Sequence, residues 1–155
     1  MWTTAAIFAA LTCVLTFTVR IPTAIGYIHP GDGVIYLCAC VLPFPYAIFA
    51  AAVGGAMSDL LAGFPQWIIP TLLIKSAVTL FFKSGVKKGK VLTKRNIIMT
   101  VPAGLVTVGG YFAASLVMYG TAGAFAEVPA NFLQAGISAV VFVVAAVALP
   151  LYRRL

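Results

Sequence analysis

Residues 97–120 read IIMTVPAGLVTVGGYFAASLVMYG, a run without one charged side chain. It exceeds the ~20 apolar residues that carry a helix across a hydrocarbon core about 30 Å thick, so its natural solvent is lipid. Outward from it the pattern repeats. Apolar segments at Thr3–Arg20, Gly33–Leu42, Tyr46–Gly63, Trp67–Lys83, Ile97–Gly120 and Val128–Tyr152 are separated by turn signals at Pro22, Pro30-Gly31, Pro43 with Pro45, and Pro65. The second segment is short. Of 155 residues 63% are hydrophobic and 8% charged, with mean hydropathy +1.10, whereas soluble domains are about a quarter charged. A core of ~150 residues cannot enclose that much apolar surface. The expectation is an all-α integral membrane protein: one transmembrane domain, residues 1–155, with six helices, short loops and antiparallel neighbours.

Charge placement sets an expected orientation. Lys83, Lys87, Lys88, Lys90, Lys94 and Arg95 fill the connection between segments four and five, and Arg153-Arg154 follow segment six. Positive residues favour the cytoplasmic side, which puts both termini inside and leaves outer connections at Thr23–Asp32, Phe64–Gln66 and Thr121–Val128. The net charge of +7 is therefore a topology signal; it does not point to nucleic acid. The outer connections hold Asp32, Glu127, the single histidine His29, and Gln66 beside Trp67. Met1–Phe17 lacks a positive leader and a cleavage signal, and reads as a first span. Cys13, Cys38 and Cys40 all lie in apolar runs and read as small core residues. No repeat, nucleotide-binding loop, metal motif or catalytic motif is visible, so the chain reads as neither enzyme nor cofactor carrier, and any pumping needs a partner or an ion gradient.

Three groups of polar residues could carry chemistry. Asp59 in segment three and Lys75 in segment four are too deep to stand alone in lipid and are expected to pair, either as a structural tie or as a ligand-facing couple. Tyr27, His29 and Asp32 bring an aromatic ring, an imidazole and a carboxylate into one turn, suited to a heterocycle; Asp32 is equally placed to cap the second helix. Glu127, Asn131 and Gln134, spaced by four and three, share a face of the sixth helix, although Glu127 also suits a solvated helix start. Tyr111, Tyr119 and Trp67 offer aromatic walls, with an interfacial belt as the other reading of Tyr119 and Trp67. The first helix carries overlapping small-residue pairs, Ala5 with Ala9 and Ala6 with Ala10, which suit close packing inside the bundle or docking of a partner.

Taken together, Gly26-Tyr27-Ile28-His29-Pro30-Gly31-Asp32, Gly54-Gly55-Ala56-Met57-Ser58-Asp59-Leu60-Leu61-Ala62-Gly63-Phe64-Pro65-Gln66-Trp67 and Thr71-Leu72-Leu73-Ile74-Lys75 resemble a known family over nearly the whole chain. It is that of the substrate-binding S components of energy-coupling factor (ECF) vitamin transporters, in the riboflavin-transporter-like group with hydroxymethylpyrimidine- and pyridoxine-type members. The resemblance implies a six-helix S-component bundle in a prokaryotic cell membrane. Such a subunit captures a small vitamin from outside and delivers it when docked to a transmembrane T component carrying two ATPases. It implies docking through an Ala-x-x-x-Ala face on the first helix, here Ala5, Ala6, Ala9 and Ala10. It also implies a ligand site among Tyr27, His29, Asp32, Lys75, Tyr111, Glu127 and Asn131, to which the helix-face argument adds Gln134. Pro30 departs from the aliphatic residue expected there, so ligand geometry in this loop does not transfer. Pyridoxine, hydroxymethylpyrimidine and queuosine precursors all fit the mixed polar groups. The rival expectations are a structural or assembly membrane protein and a stand-alone proton-coupled carrier using Asp59.

Overall fold

A computed structural model of the protein describes residues 1–82 and 91–148. The chain is mostly helical. It runs from α1 (Trp2–Thr18) through a short antiparallel hairpin, β1 (Ile21–Pro22) with β2 (Tyr27–Ile28), into α2 (Asp32–Val41) and α3 (Phe44–Ala62). A 3-10 turn, Pro65–Trp67, leads into α4 (Ile68–Thr79), and a last helical stretch covers Lys94–Ala148. Gly120 interrupts that stretch with φ 72° and ψ −173°, a conformation open to glycine because it has no Cβ. We call its two halves α5 (residues 94–119) and α6 (residues 121–148).

Two of the expected connections differ. The connection expected over Thr121–Val128 is helical, because one glycine makes the whole reversal between α5 and α6. The first outer connection, expected as a plain turn, pairs into a hairpin in which Ile21 faces Ile28. Lys83, Lys87, Lys88, Lys90 and Arg153-Arg154, the main topology signals, lie outside the described residues, as does the end of the sixth segment. Lys94 and Arg95 open α5 and are exposed.

Phe44–Ala62 and the kinked Lys94–Ala148 are the two described helices long and apolar enough to cross a membrane. Large apolar side chains face outward along the bundle, among them Leu73, Val101, Leu105, Val117 and Val140, while Asp32, Lys75 and Gln134 are buried. A water-soluble protein places its ionisable groups the other way round. In lipid the outer surface costs nothing and polar groups turn inward to find partners.

Close helix contacts are set by small residues. A Cβ on Gly54 would come within 2.7 Å of the Ala9 carbonyl oxygen, so α1 and α3 touch backbone to backbone. Ala5 and Ala9 are buried in that contact, whereas Ala6 and Ala10 are exposed. Adjacent residues on a helix point about 100° apart, and here one overlapping pair meets α3 while the other stays on the outer surface. The expectation that all four alanines form a docking face is corrected: Ala5 and Ala9 are used inside the bundle. Helix α2 is enclosed, with all its residues but Val34 buried. Its 10 residues span about 15 Å, half a hydrocarbon core. It is a central helix surrounded by longer ones, and its Cys38 and Cys40 are buried, unbridged packing residues.

Candidate functional site

The hairpin folds back over one end of the bundle, where α2 starts, α3 ends and α4 begins. Beneath it lies a cavity of about 30 Å³ lined by Gly26, Tyr27, His29, Asp59, Trp67, Tyr111, Glu127, Asn131 and Gln134. Six of the eight residues expected to bind substrate are in that lining; the other two, Asp32 and Lys75, form the floor of the same polar network. The space is of water-molecule size; drug-sized ligands occupy pockets roughly ten times larger.

Lys75 and Asp32 form a buried ion pair. The ammonium is 2.7 Å from Oδ1 and 2.9 Å from Oδ2, and the two side chains are 1% and 0% exposed. Gln134 Nε2 donates to the same Oδ2 at 3.0 Å. The expected Asp59–Lys75 pair is therefore corrected to Asp32–Lys75. Sequence proximity favoured Asp59, but α2 starts at the level of Lys75 and brings Asp32 into direct contact. Nor does Asp32 act as a cap. It lies in the first turn of α2, whose cap position is Gly31, with no side-chain cap bond. A carboxylate there still gains from the positive end of the helix dipole.

Asp59 accepts from the Tyr27 hydroxyl at 2.7 Å. A Cβ on Gly55 would sit 2.7 Å from the Thr71 methyl, so α4 approaches α3 closely there and carries Thr71 and Lys75 alongside Asp59. The Thr71 hydroxyl lies near Asp59 and is 3.0 Å from that of Tyr111. Lys75 stands 4.9 Å above the Tyr111 ring, a cation–π placement.

Glu127, Asn131 and Gln134 share one buried face of α6, as their spacing predicts. Glu127 is 5% exposed and well inside α6, so the solvated-start reading is corrected. Its Oε2 accepts from the Thr23 hydroxyl at 3.0 Å, while Asn131 Nδ2 donates to its backbone carbonyl at 3.0 Å. Trp67 is also buried and donates through Nε1 to the Ile25 carbonyl at 3.2 Å, making it a wall of the site. Tyr119 is 38% exposed and belongs to the rim.

His29 is buried. Its backbone N–H donates to Gln134 Oε1 at 3.3 Å, and its Nδ1 accepts from the Gly31 N–H at 3.2 Å. With Nδ1 accepting, the neutral ring carries its proton on Nε2. Burial pulls its pKa down to about 4; Asp32 opposes that shift and Lys75 adds to it. The imidazole is thus neutral at physiological pH. Burial, with Asp59 beside it, pushes the Tyr27 hydroxyl well above its ordinary value, so Tyr27 remains a donor.

Sequence reasoning missed Thr23, Gly26 and Thr71. Thr71 had a signal, since it lies four residues before Lys75 on one helix face. Thr23 had none, because its partner is 104 residues away.

A family model described as the S component of an ECF-type riboflavin transporter matches residues 2–151. A Pyrococcus woesei protein, described only as an uncharacterized protein in the gap 3' region, is 37% identical over 128 residues, which is 79% of this chain and 82% of its own.

Proposed function

We propose, because this chain belongs to the family of ECF-type riboflavin transporter S components, that its substrate is a small water-soluble vitamin or nucleobase-like heterocycle held beneath the hairpin. Pyridoxine, hydroxymethylpyrimidine and queuosine precursors have the right size and polarity. The chain is a substrate-binding membrane subunit, and transport energy comes from ATPases coupled through a T component. We read six crossings with both termini cytoplasmic, which puts the hairpin outside, where a scarce nutrient is met.

One observation carries this reading. Every acidic residue of the chain, its histidine and three aromatic rings converge on a single buried cavity at the hairpin end. Burying so many polar groups in a membrane protein is costly and marks function. A vitamin needs more room than the cavity has, so entry requires the hairpin to lift, carrying Tyr27 and His29 with it. The exposed face of α1 at Ala6 and Ala10 supports docking of the T component there.

Native mass spectrometry of the purified protein tests the reading. A vitamin-sized adduct, reproducible and lost in Asn131→Ala, is expected. No adduct, together with no thermal shift across a vitamin and nucleobase panel, overturns it. Uptake into proteoliposomes should require the T component and ATPases; uptake driven by a pH gradient alone would identify a stand-alone carrier.

A further inference from the structure

The chain has ten lysines and arginines and three acidic residues. All three acids meet at the hairpin end, and Lys75 is the one described lysine or arginine buried with them. Lys75 is committed to Asp32. Asp59 and Glu127 are 6% and 5% exposed and line the cavity, with no ion-pair partner among the described residues. Each has one oxygen without a hydrogen-bond partner, Oδ2 of Asp59 and Oε1 of Glu127. His29, being neutral, supplies no compensating charge.

Their other oxygens are held by hydroxyls from one element. Tyr27 donates to Asp59 and Thr23 to Glu127, and both donors belong to the hairpin. Lifting the hairpin to admit a ligand therefore removes a donor from each carboxylate at the same moment, leaving the Thr71 hydroxyl of α4 beside Asp59. Buried carboxylates left in that state favour a cation, and Trp67 and Tyr111 line the same cavity with aromatic rings, a residue type that attracts positive charge over its face.

We infer that the substrate is a heterocycle carrying positive charge, such as an ammonium or amidinium group, which Asp59 and Glu127 receive in place of the hairpin hydroxyls. This deepens the proposed function and rests on the cavity being the capture site. The Lys75–Asp32 pair does not contact the charge; it sets the floor and keeps the remaining balance of the site negative.

The test uses matched probes differing by ammonium for hydroxyl: pyridoxamine against pyridoxine, and 4-amino-5-aminomethyl-2-methylpyrimidine against its 5-hydroxymethyl counterpart. Binding is measured calorimetrically on the full chain in nanodiscs. At least one amine is expected to bind tighter than its alcohol by about tenfold or more, the scale of one charge-assisted hydrogen bond. Asp59→Asn and Glu127→Gln should each reduce that preference, with thermal unfolding in nanodiscs showing that the variants fold. Alcohols binding as well as or better than amines would overturn the cation inference and leave the capture reading standing. Binding by none of the four, with no retained adduct in the native mass spectrum, would overturn both.

Discussion

At the hairpin end, the bundle interior holds Asp32, Asp59, Lys75, Glu127 and Gln134, while at the other end Tyr36, Phe82 and Phe142 cluster beside Cys38 and Val78. The aromatic cluster is close, with ring centroids 4.8 Å apart for Tyr36 and Phe82 and 5.8 Å for Phe82 and Phe142. Both ends are equally hidden from solvent, yet they are maintained by different physics. The aromatic end is held chiefly by dispersion between packed side chains, with the Tyr36 hydroxyl as a buried polar group there that has no hydrogen-bond partner among the described residues. The polar end must satisfy each charge and donor, and a failure there leaves a buried group uncompensated. A bundle could be built with apolar packing at both ends, so the polar end is the part that function explains.

That contrast is sharpest at Lys75. Lys75→Met leaves Asp32 buried without its cation and should lower stability by roughly 3–5 kcal/mol. Combining it with Asp32→Asn should recover most of the loss, as read from unfolding midpoints in detergent. A double variant no better than the single would show that the pair is not the unit of stability. At the other end Phe142→Ala should cost roughly 3 kcal/mol through a packing void, with ligand preference unchanged. A shift in preference would mean that the two ends are coupled.

Tyr27→Phe deletes the donor to Asp59 and should cost about 2 kcal/mol, the range for a hydrogen bond to a charged group. Because the lost bond is also a hairpin latch, ligand association should quicken in stopped-flow fluorescence; an unchanged rate would remove Tyr27 from gating.

At neutral pH the smallest effect is that of His29 titration, which grows only as the pH is lowered. His29 has its folded pKa lowered to about 4 from an ordinary 6.5, chiefly by burial. The unfolded chain therefore binds the proton first, and the His29 contribution is complete above pH ~6.5 and lost as pH falls toward ~4. Unfolding midpoints between pH 4 and 8 should show this slope, and His29→Gln should flatten it. A slope that survives the substitution belongs to another group.

Much of the molecule was legible in the sequence. Segment two was placed within one residue of α2, because Pro30-Gly31 and Pro43 bracket it. The face of Glu127, Asn131 and Gln134 followed from helical spacing, and the deep charges stood out because lipid tolerates so few. The start of α6 was not legible, since a single glycine can reverse the chain or pass unnoticed within a helix. The alanine pairs of α1 were visible as a pattern, but periodicity does not say which of two overlapping stripes meets α3.

The sequence by itself determined the solvent, the helical class and the set of polar residues that must find partners, because composition and periodicity are local properties of the chain. Only the tertiary structure decided which partner each one finds. Lys75 is 16 positions from Asp59 and 43 from Asp32, yet it pairs with Asp32. Distances along a chain do not fix distances across a bundle, and a buried charge is settled by whichever opposite group the packed helices bring within about 3 Å.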